Sequence, residues 1–184
     1  MSTENAQTTK LVTGLVRLSY ANLFVPTSVE EGGDKKYSVS ILIPKTDKET
    51  IKKIEAAIEA AKEAGKPKWG GKIPVKGFKL PLRDGDEDRP DDDAYAGHFF
   101  INASSKTKPG VVDKDLQPVL DQDEVYSGCF GRVSINFYPF DAKGNKGIAA
   151  GLNNVQKIKD GEALAGKSRA EDDFAEALEV GDLM

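Results

Sequence analysis

Cysteine, histidine and tryptophan each occur once in the 184 residues, and each scarcity excludes a class of chemistry. A single cysteine, Cys129, cannot form an internal disulfide, which points to a reducing, cytoplasmic setting. A single histidine, His98, leaves no second imidazole for a metal site, and no paired CxxC motif supplies thiolates in its place. A Ser-His-Asp triad would have to use His98, yet no G-x-S-x-G elbow accompanies it. Gly65 to Lys72 has the flavour of a phosphate-binding loop, but its spacing fails and Ile73 stands where a hydroxyl is required. Long apolar runs are missing too, so no membrane span is expected. The opening "MSTENAQTTK" lacks the apolar stretch of a secretory signal. No internal repeat is present. The chain is therefore expected to be non-enzymatic, with no catalytic residue, metal or cofactor.

What is present is charge, unevenly placed. The net charge is −4, but Ser168 to Met184 holds six acids and one arginine, a net of −5. The block "DGDEDRPDDD", Asp84 to Asp93, holds seven acids and one arginine, a net of −6. The remainder carries about +7, and local potential follows such clusters, not the total.

Periodicity supplies the elements. "LVTGLVRLSY" opens a strand. In "KYSVSILIPK", Tyr37, Val39, Ile41 and Ile43 share one face, and Lys36, Ser38, Ser40 and Leu42 the other, the pattern of a half-buried antiparallel strand. A helix follows, with Thr46 and Glu49 as an expected capping box, Ile51, Ile54, Ile58 and Ala61 as its apolar stripe, and Gly65 and Pro67 as its stop. "KPKWGGKIPVKG" is a basic loop around Trp69, and "FKLPL" a short strand. "GHFFINASS" and "GRVSINFYPFD" are long strands, the second turning through "AKGNKG" into "IAAGLNNVQKIK". Strands, one helix and glycine-rich turns give a small β-barrel or sandwich carrying an inserted helix.

Adjacent Phe99 and Phe100 must point to opposite faces of their strand. With Phe99, Ile101 and Ala103 inward, the outer face holds Phe100, Asn102 and Ser104, leading to Lys106 and Lys108. On the next strand Val133, Ile135 and Phe137 point in, while Arg132, Asn136 and Tyr138 point out, with Phe140 near the end. Rings on a wet, cationic face suit single-stranded nucleic acid, because every base has a π-face to stack and lysines attract phosphate. Expected stacking residues are Phe100, Tyr138, Trp69 on a mobile basic arm, and Phe140. Expected polar and basic contacts are Lys36, Lys66, Lys68, Asn102, Lys106, Lys108, Arg132, Asn136, Lys143 and Lys146. The alternative is a protein-interaction module whose exposed aromatics form a subunit interface, such as a homodimer.

Asp84, Asp86 and Asp88 match the first ligands of a calcium loop, but Arg89 and Tyr95 occupy positions that need glycine and glutamate. A solvated loop is the expected reading; a magnesium-dependent nuclease on Asp91 to Asp93 lacks a supporting lysine pattern. In the acidic tail, Phe174, Leu178 and Leu183 interrupt the charge. Such a tail either solubilises the chain or binds a partner's pocket, and it could compete with DNA for the basic face.

The segments "AYAGHFFINASSKTKPGVVD", "VYSGCFGRVSINFYPFDAKGNKGIAAGLNNVQKIKDGEAL" and "RAEDDF" resemble a family of phage and prophage single-stranded DNA-binding proteins, first catalogued as a domain of unknown function. The resemblance spans about Leu11 to Phe174. It implies an OB-fold related to other phage helix-destabilising proteins, sequence-independent binding of single strands in replication, recombination and repair in the bacterial host cytoplasm, and an acidic C-terminus that contacts replication or recombination proteins. The expected architecture is mainly β: a disordered stretch over 1–10, a five-stranded antiparallel OB-like barrel with an inserted α-helix over 11–165, and a disordered acidic tail over 166–184.

Overall fold

The computed structural model describes residues 8–28, 32–142 and 144–164. Among these residues there are eight strands: β1 (Lys10–Val12), β2 (Val16–Thr27), β3 (Lys36–Pro44), β4 (Arg83–Asp84), β5 (His98–Ser105), β6 (Gly110–Val112), β7 (Phe130–Ala142) and β8 (Asn145–Lys159). Helix α1 (Lys48–Gly65) follows β3, and a single helical turn, α2 (Gly85–Asp88), follows β4. Among the described residues no helix is long and apolar enough to cross a membrane.

Five strands form a closed ring in the order β2-β3-β5-β8-β7, with β7 returning to β2. All of these pairings are antiparallel except β5 with β8. That parallel seam is short, Ala103↔Ala150 and Ser104↔Gly151. Beyond it, β4 takes the edge of β5 at Phe99 and Phe100, Lys79 bridges β8 at Gly147, and β6 pairs β8 from Asn154. The ring is thus an irregular barrel of OB type. Its interior is filled by the inward alternation: Val39, Ile41 and Ile43 from β3, Ile101 and Ala103 from β5, Val133, Ile135 and Phe137 from β7, all buried. Cys129 lies in the same core, where burial pushes its thiol pKa up and leaves it unreactive.

The long β7–β8 hairpin pairs out to Ala142↔Asn145, with Gly144 in the turn at φ 83°, a conformation that glycine adopts freely. Ordered pairing begins earlier than expected at the N-terminus, since Lys10 pairs with Asn136 and the Thr9 carbonyl accepts from Phe137 N. Residues 1–7 and the acidic tail, with Phe174, Leu178 and Leu183, lie outside the described residues.

Helix α1 buries Ile51, Ile54, Ile58 and Ala61 against the barrel, as its spacing predicts. Its start differs. The cap is Asp47, whose carboxylate accepts from Thr50 N at 3.1 Å, and the helix begins one residue after it. Aspartate caps better than threonine, so Thr46 yields the role. Replacing Asp47 with alanine is expected to cost about 1 kcal/mol in urea denaturation, while Thr46→Ala leaves stability nearly unchanged.

Candidate nucleic-acid interface

The ring's register aligns its outward side chains. Ser38 faces Ser104 across β3 and β5, Ser104 faces Gly151 across the parallel seam, and Gly151 faces Asn136 across β8 and β7. One step along, Ser40 pairs with Asn102 and Ala149 with Tyr138. Partners in register point to the same side of a sheet. The result is a continuous outer strip of amides and hydroxyls with a floor of Ala149 and Gly151. Tyr138 is 42% exposed on it. Its ring lies across the bare glycine, with Cε1 3.6 Å from where a Cβ on Gly151 would be. The Asn136 amide is oriented by Thr9, whose hydroxyl donates to Oδ1 at 2.8 Å. The strip can therefore offer one open π-face, a flat floor beside it, and side-chain hydrogen-bonding groups.

Two expected stacking residues are sealed instead. Phe100 does point outward, but it is 0% exposed. Tyr95 meets it edge-on at 5.0 Å, Leu42 packs beside it, and the Arg83 guanidinium lies 5.1 Å from its centroid. The Tyr95 hydroxyl then donates to Ser40 Oγ at 3.0 Å, which closes this half of the β3–β5 face. Alternation assigns a side chain to a face; it says nothing about what lies over that face. Trp69 is likewise buried, 7% exposed. Its indole N–H donates to the Phe140 carbonyl at 3.0 Å and its ring meets Phe78 edge-on. It pins the basic loop and is no part of a mobile arm. Phe140 itself is half-buried.

The cover over Phe100 is Tyr95, with Ala94 and Leu164 packed beside it; the acidic block leads into this cover, and its carboxylates have structural work. Asp84 caps α2 and Asp92 caps the turn Asp93–Tyr95. Lys45 bridges Asp84 and Asp86, each at 2.8 Å, and Arg83 holds Asp88 at 2.8 Å. The block and the Tyr95 turn thus form a folded lid held by capping and ion pairs, while Asp86, Glu87, Asp88, Asp91 and Asp93 are exposed, as the solvated-loop reading expects. Among the described residues no group of three or more histidines, cysteines or acids is placed to hold a metal ion.

The expected cations divide. Lys36 starts β3, Lys106 reaches Asp34 at 3.5 Å, and Lys108 sits 4.9 Å over the Phe24 ring, all beyond the Ser104 end of the strip. Lys146, the second residue of β8, lies at the opposite end, where the turn Lys66–Trp69 is tied to Phe140 through Trp69; Lys66 pairs with Glu63 at 2.8 Å. Arg132 joins neither group: its guanidinium donates to the Thr13 carbonyl, and six residues of strand, about 20 Å, separate it from Tyr138. Lys143 lies outside the described residues.

Three residues that sequence reasoning passed over adjoin the strip or its lid. Tyr20 is 49% exposed at a bulge in β2, with φ 46°, under the Arg89 guanidinium at 5.6 Å. Phe24 lies under Lys108, and Arg83 flanks Phe100. The signal for Tyr20 was the broken alternation in "LSYANLF", since a bulge redirects side chains.

Comparison with known proteins adds a second line. A family model described as the ssDNA-binding protein of Enterobacter phage Enc34 matches residues 9–184. Putative protein p50 of Acyrthosiphon pisum secondary endosymbiont phage 1 is 38% identical over 160 residues, 82% of this chain and 84% of that one. The single-stranded DNA-binding protein from bacteriophage Enc34, solved in complex with ssDNA, superposes with a TM-score of 0.76 at 33% identity, over 85% of this chain and 90% of that chain. The single-stranded DNA-binding protein gp2.5 of bacteriophage T7 shares the fold, with a TM-score of 0.59 at 18% identity over 94% and 96% of the two chains.

Two outcomes follow from the lid. Phe100→Ala is expected to lose about 3–5 kcal/mol of stability in urea, whereas an open ring would change it by about 0.5 kcal/mol or less. The hydrogen bond from Lys45 holds the Asp84 and Asp86 carboxyls below their ordinary 3.8. A depressed folded-state pKa means that this contribution is present above about pH 4 and lost as pH falls through the lower folded values. Protection against amide exchange in residues 84–97, relative to the unfolded chain at the same pH, should therefore fall below pH 3.8. This acid sensitivity should be weaker in Lys45→Met, where only the backbone donors Asp86 N and Gly97 N remain.

Proposed function

The chain belongs to the family of the Enterobacter phage Enc34 ssDNA-binding protein, and on that premise we propose that it binds single-stranded DNA, without regard to sequence, along the strip from Ser38 to Tyr138. The observation that carries this reading is the Tyr138 ring, open to solvent above the Gly151 floor, in a chain that superposes on a relative solved in complex with ssDNA.

A base laid against Tyr138 covers apolar surface that water otherwise hydrates, and the contact is indifferent to base identity. Phe140, half-buried and two residues further along the same face, offers a second, smaller surface. Asn102, Ser104 and Asn136 are placed to hydrogen-bond to sugars or base edges. Lys36, Lys106 and Lys108 attract phosphates at one end and Lys146 and Lys68 at the other, so affinity falls with salt as condensed counterions cease to be released. Phe100 and Trp69 have no place in this contact, since both rings are covered.

In the host cell the protein would coat unpaired DNA during phage replication, recombination and repair. Its acidic C-terminus, through Phe174, Leu178 and Leu183, would contact the proteins that act on the coated strand. No bond is made or broken in this activity.

Titration of fluorescent oligo-dT tests the reading. The intact protein should bind, and Tyr138→Ala should weaken binding by roughly 5- to 150-fold, the equivalent of about 1–3 kcal/mol per stacked base, with an unchanged circular dichroism spectrum. Absence of binding by the intact protein would overturn the function. Wild-type affinity in Tyr138→Ala would remove the strip as the contact surface.

A further inference from the structure

The basic loop Lys66–Lys79 is not needed to form the strip, yet it is built with care. It holds five lysines and no acid. Both ends of the loop are fastened. At one end the Trp69 indole donates to the Phe140 carbonyl and lies so close to Gly65 that a Cβ there would come within 2.6 Å of the ring. At the other, Phe78 packs on Trp69, Lys79 N donates to the Lys146 carbonyl at 3.0 Å, and Ile148 N donates to the Lys79 carbonyl at 2.9 Å. Gly70, Gly71 and Gly77 turn the chain between these anchors, with φ of 77°, 93° and 71°.

The fastening aims the loop. Lys79 pairs with Gly147, which in turn pairs with Phe140. Gly147 lacks a side chain for a visible reason: its Cβ would lie 2.8 Å from Lys79 Cβ. Lys79 thus leaves the backbone on the side of β8 that Phe140 and Tyr138 occupy, two residues apart on one face of β7. Lys68, Lys72, Lys76 and Lys79 are exposed and, among the described residues, none is paired with a carboxylate. The acidic lid closes the neighbouring half of the β3–β5 face, so the open path from Tyr138 leads past Phe140 toward these lysines.

We propose that this loop is a second phosphate-binding segment, which takes the sugar-phosphate backbone of the single strand after it leaves Tyr138 and Phe140. The inference rests on the proposed function. It extends the contact from the barrel face onto a separate, rigidly mounted element.

The test compares oligo-dT of two lengths, one at the short end and one beyond the long end of the roughly 4–16 nucleotides that an OB-fold covers. The full-length variant carries Lys72→Gln, Lys76→Gln and Lys79→Gln, exposed loop lysines outside the strip contact. On the long oligonucleotide, the slope of log affinity against log salt should fall by about 2, at roughly 0.7 per released single-strand phosphate contact. On the short one, affinity should stay at the wild-type value. A charge-matched control, Lys48→Gln, Lys52→Gln and Lys53→Gln on exposed positions of α1, should alter neither. An unchanged slope on the long oligonucleotide overturns the proposal. So does an equal loss at both lengths or in the control, which would reflect net charge alone, and so does a loss confined to duplex DNA. Failure of the unsubstituted protein to bind either oligonucleotide would instead remove the function on which the proposal stands.

Discussion

Two residue pairs, Ala103↔Ala150 and Ser104↔Gly151, close the ring between parallel β5 and β8, and the outer surface takes its order from them. They fix Gly151 level with Ser104 and therefore bring Asn136 and Tyr138, from the far side of β8, onto the same strip as Asn102. A slip by one residue would turn every side chain of β8 to the opposite face, sending Ala150 and Leu152 outward and destroying both the core and the floor. On either side of the seam β4 takes the adjoining edge of β5 and β6 that of β8, which shortens the strand edge left open there.

Charge is sorted over this frame. The total of −4 conceals a lid in which acids cap turns and hold Lys45 and Arg83, and a separate set of lysines at the two ends of the strip. Acid and base are kept apart by the fold: the block from Asp84 to Asp93 leads into Ala94 and Tyr95, which pack on Leu42 and Phe100, whereas the lysine-rich loop is fastened beside Phe140. The lid seals an apolar patch that would otherwise be open, and it confines the accessible surface to the part of the face where the floor is flat.

The barrel strands and the helix were legible because their periodicities are strong: Val39, Ile41 and Ile43 of β3, Ile101 and Ala103 of β5, and Val133, Ile135 and Phe137 of β7 are buried as the alternation names them. Tyr138, Asn102 and Asn136 were legible as outward for the same reason. Phe100 was assigned to the correct face and the wrong environment. Its burial depends on Tyr95, three residues before the strand, folding back over it through a hydrogen bond to Ser40, and no period encodes that contact. Trp69 was misjudged because the lysines around it mark an exposed loop, while the indole is fixed by a carbonyl, Phe140, distant in sequence. Tyr20 escaped because its bulge interrupts the pattern by which outward residues are found. Thr46 lost its capping role to the residue beside it, a difference of one position that sequence alone resolves poorly.

The pairing of β1 with β7 joins Lys10 to Asn136. On a ribosome, β1 must wait, unpartnered, until β7, far along the sequence, has been made. Neither can the ring close before β8 is complete, so the nascent chain passes through a long interval with apolar strands and unsatisfied edges available to chaperones or to other copies of itself. Such a chain depends, while being synthesised, on having its own exposed edges covered.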